Sequence, residues 1–241
     1  MIGAVGVVTV YGRMAVLEAL AAGGVELVLV ARTARGDTID DIVRSAAERG
    51  VTLRRVAPEK VTRMSGNGRH DQGVVAEVAA PGLRPLDEWL AATTPSAVLV
   101  LDGVTNPQNV GMIVRTATAA GLDGVVLPEA GSPGVGPLVV KASAGVAFRA
   151  TILSSPTAAD AVTTLRGAGL VIVGLRADAP SLFDQPLPDR GAYVLGSEHD
   201  GVSVAVDEWR SLPLAGGVES LNVAVTAGVV AYEIARARPP G

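Results

Sequence analysis

Residues 101–117 read LDGVTNPQNVGMIVRTA, and this stretch decides the fold because an apolar strand enters a polar loop that opens a helix. We predict Asn109 as the N-cap of that helix. Arg115 then follows among small and apolar residues, where a buried guanidinium needs an anionic partner such as phosphate. An exposed arginine on an ordinary capped helix would explain the same residues, so both interpretations stay open.

A second polar turn follows an apolar strand in residues 193–203, which read YVLGSEHDGVS. Ligands of open α/β sheets gather at the carboxyl ends of the strands, so this turn is well placed for a site. Gly196 would let a ligand approach the backbone closely, and Glu198 would accept hydrogen bonds or hold an arginine. A plain polar turn with two glycines would have the same composition.

The third informative stretch, residues 212–225, reads LPLAGGVESLNVAV and leads from a glycine loop into the last helix. Ser220 is a candidate N-cap of this helix, a role that is compatible with catalysis. The helix is apolar nearly all round until Glu233. Such a helix is either fully buried or packed against a second subunit.

Outward from these stretches, strands alternate with helices along the chain, which indicates an α/β protein with a mostly parallel sheet. Helices are expected at 13–22, 38–49 (capped by Thr38), 86–92, 110–120, around 138–144, 157–166 and 221–238. Strands are expected at 25–30, 51–56, 74–78, 97–101, 124–127, 170–175, 192–195 and 211–214. The turn-rich stretch PGLRP, residues 81–85, marks a boundary between a domain at 1–80, a linker at 81–95 and a domain at 96–241.

Composition excludes several kinds of site. The chain of 241 residues has no cysteine and only two histidines, so we expect no disulfide and no metal. No apolar run reaches the ~20 residues that span a bilayer, and no signal-peptide pattern opens the chain, so we expect a cytoplasmic protein without membrane contact. The net charge of −4 counts against nucleic-acid binding in general, but basic residues concentrate in the N-terminal part: Arg13, Arg32, Arg35, Arg54, Arg55, Lys60, Arg63 and Arg69.

The three stretches resemble, in order and spacing, the three motifs of the SpoU/TrmH family of RNA ribose 2′-O-methyltransferases, within the SPOUT superfamily. The resemblance covers about residues 96–238, and it departs from the family pattern at Asn106, where the family has an acidic residue. The N-terminal part is similar to the substrate-binding domain often fused to these enzymes. That similarity rests on Tyr11-Gly12, on AVLEAL at residues 15–20 and on the loop HDQGV at residues 70–74.

The resemblance implies a C-terminal SPOUT domain with a parallel sheet and a deep trefoil knot, plus a small N-terminal α/β substrate-binding domain. It implies a homodimer with the site near the subunit interface, an RNA substrate (rRNA rather than tRNA) and S-adenosylmethionine as the cofactor. Backbone groups of glycine loops and leucine side chains suit the flat adenine of that cofactor. The implied cofactor-binding residues are Gly174, Leu175, Leu195, Gly196, Ser197, Leu212, Leu214, Val218 and Leu221.

The catalytic and substrate positions implied by the resemblance are Asn109, Arg115, Glu198, Ser220 and Asn222. Arginine is not expected to act as the base, because it stays protonated in proteins. Our hypothesis is that Arg115 holds a neighbouring phosphate and stabilises the developing alkoxide, while phosphate or water accepts the proton. Ser220 and Asn222 would orient the ribose hydroxyl, and Glu198 would hold Arg115 or a backbone amide.

Three alternatives remain at this point. In the first, the chain is an RNA-binding protein with an inactive methyltransferase domain, but the complete set of five motif residues argues against this. A nucleotide-dependent oxidoreductase is disfavoured because no Gly-x-Gly-x-x-Gly fingerprint is present. Finally, the sequence does not separate a housekeeping enzyme from one that modifies ribosomal RNA to confer antibiotic resistance.

Overall fold

The computed structural model describes residues 7–197 and 200–238, which form two compact units. The first unit contains the described residues up to Gly82 together with Val135–Arg149, and the second contains Leu83–Gly134 together with the described residues from Ala150 onward. The predicted domains are continuous lengths of chain. In the structure, by contrast, Val135–Arg149 packs with the first unit, and residues 83–95 of the predicted linker belong to the second.

Helices and strands alternate along most of the described chain. The helices are α1 Arg13–Ala22, α2 Asp37–Glu48, α3 Pro58–Ser65, α4 Leu86–Ala92, α5 Pro107–Ala119, α6 Pro137–Ala142, α7 Ala158–Gly167 and α8 Val223–Ala237, with a 3-10 turn at Val146–Phe148. The strands are β1 Val7–Tyr11, β2 Val25–Ala31, β3 Thr52–Val56, β4 Val74–Ala79, β5 Arg84–Pro85, β6 Ala97–Leu101, β7 Gly124–Pro128, β8 Ile152–Ser155, β9 Val171–Leu175, β10 Gly191–Leu195 and β11 Glu208–Arg210.

The first unit is built on a four-stranded sheet in the order β1-β4-β2-β3. Strand β4 pairs antiparallel with β1 and β2, whereas β2 and β3 are parallel. Helix α2 buries Ile39, Ile42 and Ala46, a spacing that puts the three side chains on one helix face. The segment Val135–Arg149 belongs to this unit: the Lys141 ammonium lies 4.4 Å from the centre of the Tyr11 ring.

The second unit is built on a seven-stranded sheet in the order β11-β9-β10-β6-β7-β8-β5, and all of its recorded strand pairs are parallel. The central strands β6 and β10 are buried at every residue, which explains their continuous apolar sequences. The parallel, mostly apolar sheet confirms the predicted α/β fold class. Helix α8 is 15 residues long, and within the described residues no helix is long and apolar enough to cross a membrane.

Several predicted element ends were wrong, each for a local reason. Helix α5 begins at Pro107 with Asn106 as its N-cap, and not at Asn109, because proline is favoured at the first helical position. Helix α2 begins after Gly36, and not after Thr38. Helix α8 is capped by Asn222, which leaves Leu221 and Ser220 in the preceding loop. The strand expected at 211–214 lies instead at Glu208–Arg210, where it pairs with β9.

Candidate active site

Three loops at the carboxyl edge of the second unit's sheet enclose a cavity of about 370 Å³, which we call the leucine-lined cavity. The loop after β9 contributes Leu175, and the loop after β10 contributes Leu195, Gly196 and Ser197. Because β9 and β10 are parallel neighbours, their carboxyl ends open on the same side of the sheet. The cavity size lies within the ~300–1,000 Å³ typical of small-molecule sites.

The third loop, which precedes α8, completes the leucine-lined cavity with Leu212, Leu214 and Leu221. Seven of the nine residues expected to bind the cofactor therefore line one cavity, and Ser220 of the predicted catalytic set lines it too. Gly174 and Val218 do not. The space beside Gly174 is filled by the Trp209 ring, 2.7 Å from where a Cβ would stand, and Val218 is 52% exposed in the loop.

The structural reason for a glycine at position 196 differs from the one that we predicted. A Cβ on Gly196 would lie 2.0 Å from the carbonyl carbon of Gly201, so the missing side chain makes room for the chain itself. Backbone hydrogen bonds between Ser197 and Gly201 close this tight turn in both directions, each at 3.1 Å. The glycine therefore brings the turn against the strand end, and its backbone still lines the cavity.

A second cavity of about 370 Å³ adjoins the first and is lined by the loop that opens α5. We call it the polar cavity because Thr105, Asn106 and Asn109 lie on its wall. Both cavities are lined by Ser197, Asp200 and Val223. The two spaces therefore meet at these three residues.

Asn109 and Asn222 connect the first and third motifs. Asn222 Nδ2 donates to Asn109 Oδ1 at 3.2 Å, and Asn109 is 6% exposed. The Asn222 Oδ1 atom accepts from the Ala224 amide at 2.9 Å, as an N-cap does. Because α5 and α8 pack against each other, this pair joins the beginnings of two packed helices next to the cavities.

Asp102 is a structural residue of the site that sequence analysis did not single out. It lies directly after β6, is 7% exposed, and its carboxylate accepts from the Ser203 amide at 2.6 Å and from the Ser203 hydroxyl at 2.9 and 3.0 Å. These bonds tie the first motif to the end of the second. Charged residues are rarely fully buried without partners, so an aspartate directly after an apolar strand was the available sequence signal.

The remaining predicted catalytic residues are placed differently. Arg115 is exposed on α5 beside Met112, and it is not among the residues that line either cavity. Glu198, with its neighbour His199, lies outside the described residues. The structure thus gathers Asn109, Ser220 and Asn222 around the adjoining cavities, but within one chain it does not bring Arg115 to them.

In the first unit, three of the predicted basic residues converge on one loop, Ala34–Gly36. Arg35 Nη1 donates to the Ala34 carbonyl at 2.8 Å, and Arg55 Nη1 reaches the same oxygen at 3.5 Å. The Arg13 guanidinium lies 3.5 Å from the position of a Cβ on Gly36. Three guanidiniums, one from α1, one from β3 and one from the loop itself, suit the binding of a polyanion. We call these residues the arginine cluster.

Beside the arginine cluster, the predicted loop around His70 is organised by a buried carboxylate. Asp71 is 6% exposed and accepts from the Gly73 amide at 2.8 Å and from the Thr62 hydroxyl at 3.1 Å. The Arg13 amide donates to Gln72 Oε1 at 2.9 Å, which joins the loop to the start of α1. His70 itself is exposed in this loop.

Two family profiles match this chain. That of the SpoU rRNA Methylase family matches residues 96–232, and that for RNA 2′-O ribose methyltransferase substrate binding matches residues 9–84. Among similar curated proteins, the 23S rRNA (guanosine-2′-O-)-methyltransferase RlmB of Xylella fastidiosa is 36% identical over 220 residues, 88% of each chain. An uncharacterized tRNA/rRNA methyltransferase of Mycolicibacterium vanbaalenii is 36% identical over 241 residues, 95% of this chain and 76% of that one.

Solved structures share the fold along nearly the whole chain. The SpoU methyltransferase AviRb of Streptomyces viridochromogenes, in complex with the cofactor AdoMet, superposes with a TM-score of 0.79 at 24% identity, covering 96% of this chain and 90% of that one. A putative RNA methyltransferase of the TrmH family from Porphyromonas gingivalis gives a TM-score of 0.74 at 25% identity, covering 94% and 88%. These likenesses confirm the predicted arrangement of a parallel-sheet domain with an additional N-terminal α/β domain.

Proposed function

The chain belongs to the SpoU rRNA methylase family, and from that premise we propose which of its residues carry the reaction and on which RNA it acts. As a member, it is an S-adenosylmethionine-dependent RNA ribose 2′-O-methyltransferase. The observation that carries the proposal is the junction of the leucine-lined and polar cavities at Ser197, Asp200 and Val223. A methyl donor in one cavity and a ribose in the other would meet there, as an in-line transfer requires.

The leucine-lined cavity is the proposed donor site. Leu195, Leu212 and Leu214 offer apolar walls to an adenine ring, and the backbone around Gly196 offers amides and carbonyls to its edge. The carboxylate of Glu219 lies on the same wall and would offset the positive charge of a sulfonium. When bound, S-adenosylmethionine supplies an electrophilic methyl group there.

The polar cavity is the proposed site for the target ribose. Asn109, held by Asn222, keeps one face of this cavity in place, and Ser220 lies at the rim of the neighbouring cavity. These side chains would hold the ribose hydroxyl by hydrogen bonds rather than by charge. We propose that Arg115 supplies the charge by holding the neighbouring phosphate and stabilising the oxygen as it becomes alkoxide-like.

A homodimer accounts for the position of Arg115. Met112 on α5, and Val225 and Tyr232 on α8, are 41%, 53% and 56% exposed, and the two helices pack side by side. Large apolar side chains concentrated on neighbouring helices are typical of a subunit interface. Arg115 shares this side of α5, so a second copy seated here would bring an Arg115 to the interface and near a site built beside it.

We propose ribosomal RNA as the substrate and the arginine cluster as part of its binding surface. The relative from Xylella fastidiosa is named for 23S rRNA and for guanosine, which supports rRNA over tRNA. Phosphate contacts by Arg13, Arg35 and Arg55 would give affinity that does not depend on sequence. We propose that an enzyme that modifies ribosomal RNA acts in the cytoplasm.

The trefoil knot remains part of the proposal. The sheet order supports it, because β10 lies between β9 and β6 whereas the later strand β11 lies beyond β9. The chain then returns to pack α8 against α5, next to the turn that Gly196 and Gly201 hold closed. A threaded chain here would fix the three loops of the leucine-lined cavity against one another.

Replacing Arg115 with alanine tests the proposed role most directly. We expect the rate of methyl transfer to an in vitro 23S rRNA transcript to fall about 10²- to 10³-fold, as when one transition-state donor is removed. The Kd for S-adenosylmethionine, measured by calorimetry, should stay within about threefold of the wild-type value. Mass-spectrometric mapping of 2′-O-methyl sites in cellular RNA, with and without the protein, identifies the nucleotide.

The matched control is Arg44→Ala, which removes an exposed arginine paired with Asp41 on α2. This control should keep the wild-type rate. If Arg115→Ala instead abolished binding of S-adenosylmethionine, Arg115 would belong to the donor site and the assignment to the phosphate would be refuted.

A further inference from the structure

Transfer of a methyl group to a ribose oxygen releases one proton, and a group near the reacting oxygen must receive it. The reacting atoms meet where the leucine-lined and polar cavities join, so the acceptor is to be sought among the residues that line both. Among the residues that the structure describes, these are Ser197, Asp200 and Val223. Val223 has no polar side-chain atom, and a serine hydroxyl is a far weaker base than a carboxylate.

Asp200 is held at this junction by Ser197. The Asp200 amide donates to Ser197 Oγ at 2.9 Å, and the same hydroxyl lies 3.4 Å from Asp200 Oδ2, to which it donates. The backbone bonds between Ser197 and Gly201 close the turn around the pair. The side chain is therefore positioned by its own turn, while it stays exposed and keeps lone pairs free for a second donor.

Two other carboxylates near the cavities, both among the described residues, are less suitable. Asp102 is 7% exposed and already accepts from both the amide and the hydroxyl of Ser203. Glu219 lines only the leucine-lined cavity, away from the polar one. Among the described residues that line both cavities, Asp200 alone carries a carboxylate.

We infer that Asp200 is a catalytic residue that accepts the proton of the ribose 2′-hydroxyl during methyl transfer. In this step the O2′–H bond breaks and its proton goes to the Asp200 carboxylate. The ribose oxygen forms the new O–CH₃ bond, and the electron pair of the broken S–CH₃ bond stays on sulfur. The inference rests on the proposed function, because it needs the donor in one cavity and the ribose in the other.

A carboxylate where the two cavities join should weaken RNA binding, and this effect makes the role of Asp200 measurable. RNA brings phosphates to the polar cavity, and their negative charge is repelled by Asp200. Replacing Asp200 with the isosteric, neutral asparagine removes this repulsion and keeps an oxygen that can accept from Ser197. A proton acceptor therefore predicts a split effect, in which chemistry slows while RNA binding is kept or improved.

The experiment compares wild type, Asp200→Asn, Asp200→Glu and the control Asp184→Asn, an exposed aspartate in the loop after β9. Single-turnover methyl transfer is measured with tritiated S-adenosylmethionine and an in vitro 23S rRNA transcript. Calorimetry gives the Kd for S-adenosylmethionine, and filter binding gives the Kd for the transcript. We expect Asp200→Asn to lose about 10²- to 10⁴-fold in rate, the usual contribution of a general base.

In the same set, the Kd of Asp200→Asn for S-adenosylmethionine should stay within about threefold of the wild-type value. Its Kd for RNA should be equal to the wild-type value or lower. Asp200→Glu, which keeps the carboxylate, should recover part of the rate. Transfer by Asp200→Asn within about threefold of wild type would overturn the inference. A loss of rate that parallels a loss of cofactor affinity would also overturn it, because Asp200 would then only maintain the shape of the turn. If wild type itself transferred no methyl group to any RNA, the proposed function would fail first.

Discussion

At the residue scale, Tyr193 is a buried ionisable group that the proposed chemistry does not use. It lies in the middle of β10, is 2% exposed, and its ring fills the space beside Gly191, where a Cβ would lie 2.8 Å from a ring carbon. Burial raises the pKa of its phenol to about 12, and the nearby charges of Arg238 and Arg210 moderate the effect. The folded chain therefore holds this proton more tightly than the unfolded chain.

This difference in pKa predicts a loss of stability in alkaline solution. The stabilising contribution is fully present below about pH 10, where an unfolded tyrosine begins to ionise, and it is lost as the pH rises towards 12. Denaturant unfolding at pH 8 and at pH 11 should show the wild type losing up to roughly 1.4 kcal/mol more than Tyr193→Phe. Tyr232→Phe, at an exposed tyrosine, should lose as much as the wild type.

The residues of the site differ in how well their positions could be predicted from the neighbouring sequence. Leu175 and Leu195 are the last residues of apolar strands, so their place at the edge of the sheet could be predicted from the sequence. The bond between Asp102 and Ser203 joins residues 101 positions apart, and no local pattern encodes such a partnership. The role that we infer for Asp200 depends on which two cavities meet, and this is a property of the folded loops rather than of the turn sequence.

At the element scale, α8 presents different side chains to the two sides of the helix. Ala227, Val230, Ala231 and Ile234 are buried in the second unit, whereas Val225 and Tyr232 stay exposed. Glu233 accepts from Arg236 one turn later, and this hydrogen bond keeps the pKa of the glutamate below its ordinary value. The exposed apolar side chains are the ones that the proposed homodimer would cover.

A charge on this exposed side should separate the subunits. We expect Tyr232→Glu to shift the protein from dimer to monomer in sedimentation-velocity experiments at micromolar concentration, because a carboxylate would be buried in an apolar contact. Methyl transfer should fall with the dimer fraction. Phe183→Glu, which alters a 49% exposed phenylalanine in the loop after β9, should leave the assembly unchanged. A Tyr232→Glu protein that stayed dimeric would refute the proposed interface.

The hydrophobic pattern of the sequence predicted most helices and strands but not all of their boundaries. Helix α1 was predicted at its observed limits because its residues have a helical period and two glycines, Gly23 and Gly24, follow it. Helix α5 was predicted to be capped by Asn109, but Pro107 occupies the first helical position and Asn106 is the cap. Strand β11 reads EWR, so its place in the sheet comes from pairing with β9 and not from its own apolar character.

At the scale of the whole molecule, the proposed recognition of RNA and the proposed chemistry lie in different units. The arginine cluster lies in the first unit, and both cavities lie in the second. The net charge of −4 therefore hides a local basic surface. RNA affinity should depend on salt to an extent that the arginine cluster sets.

That dependence can be measured residue by residue. A plot of the logarithm of RNA affinity against the logarithm of salt concentration should have a shallower slope, by about one, for Arg55→Ala than for wild type. The control Arg44→Ala, an arginine already paired with Asp41, should keep the wild-type slope. An unchanged slope for Arg55→Ala would remove Arg55 from the phosphate contacts.

The segment Val135–Arg149 has a consequence for how the protein is made. Its Arg149 pairs with Glu18 at 3.4 Å, and Gly145 lies so close to α1 that a Cβ there would be 2.5 Å from the Cβ of Glu18. During translation, the first unit can therefore not be completed until the ribosome has passed residue 149, well into the second. For the same reason, a chimera that takes its first 82 residues from a relative would pack its own segment Val135–Arg149 against the relative's helix α1.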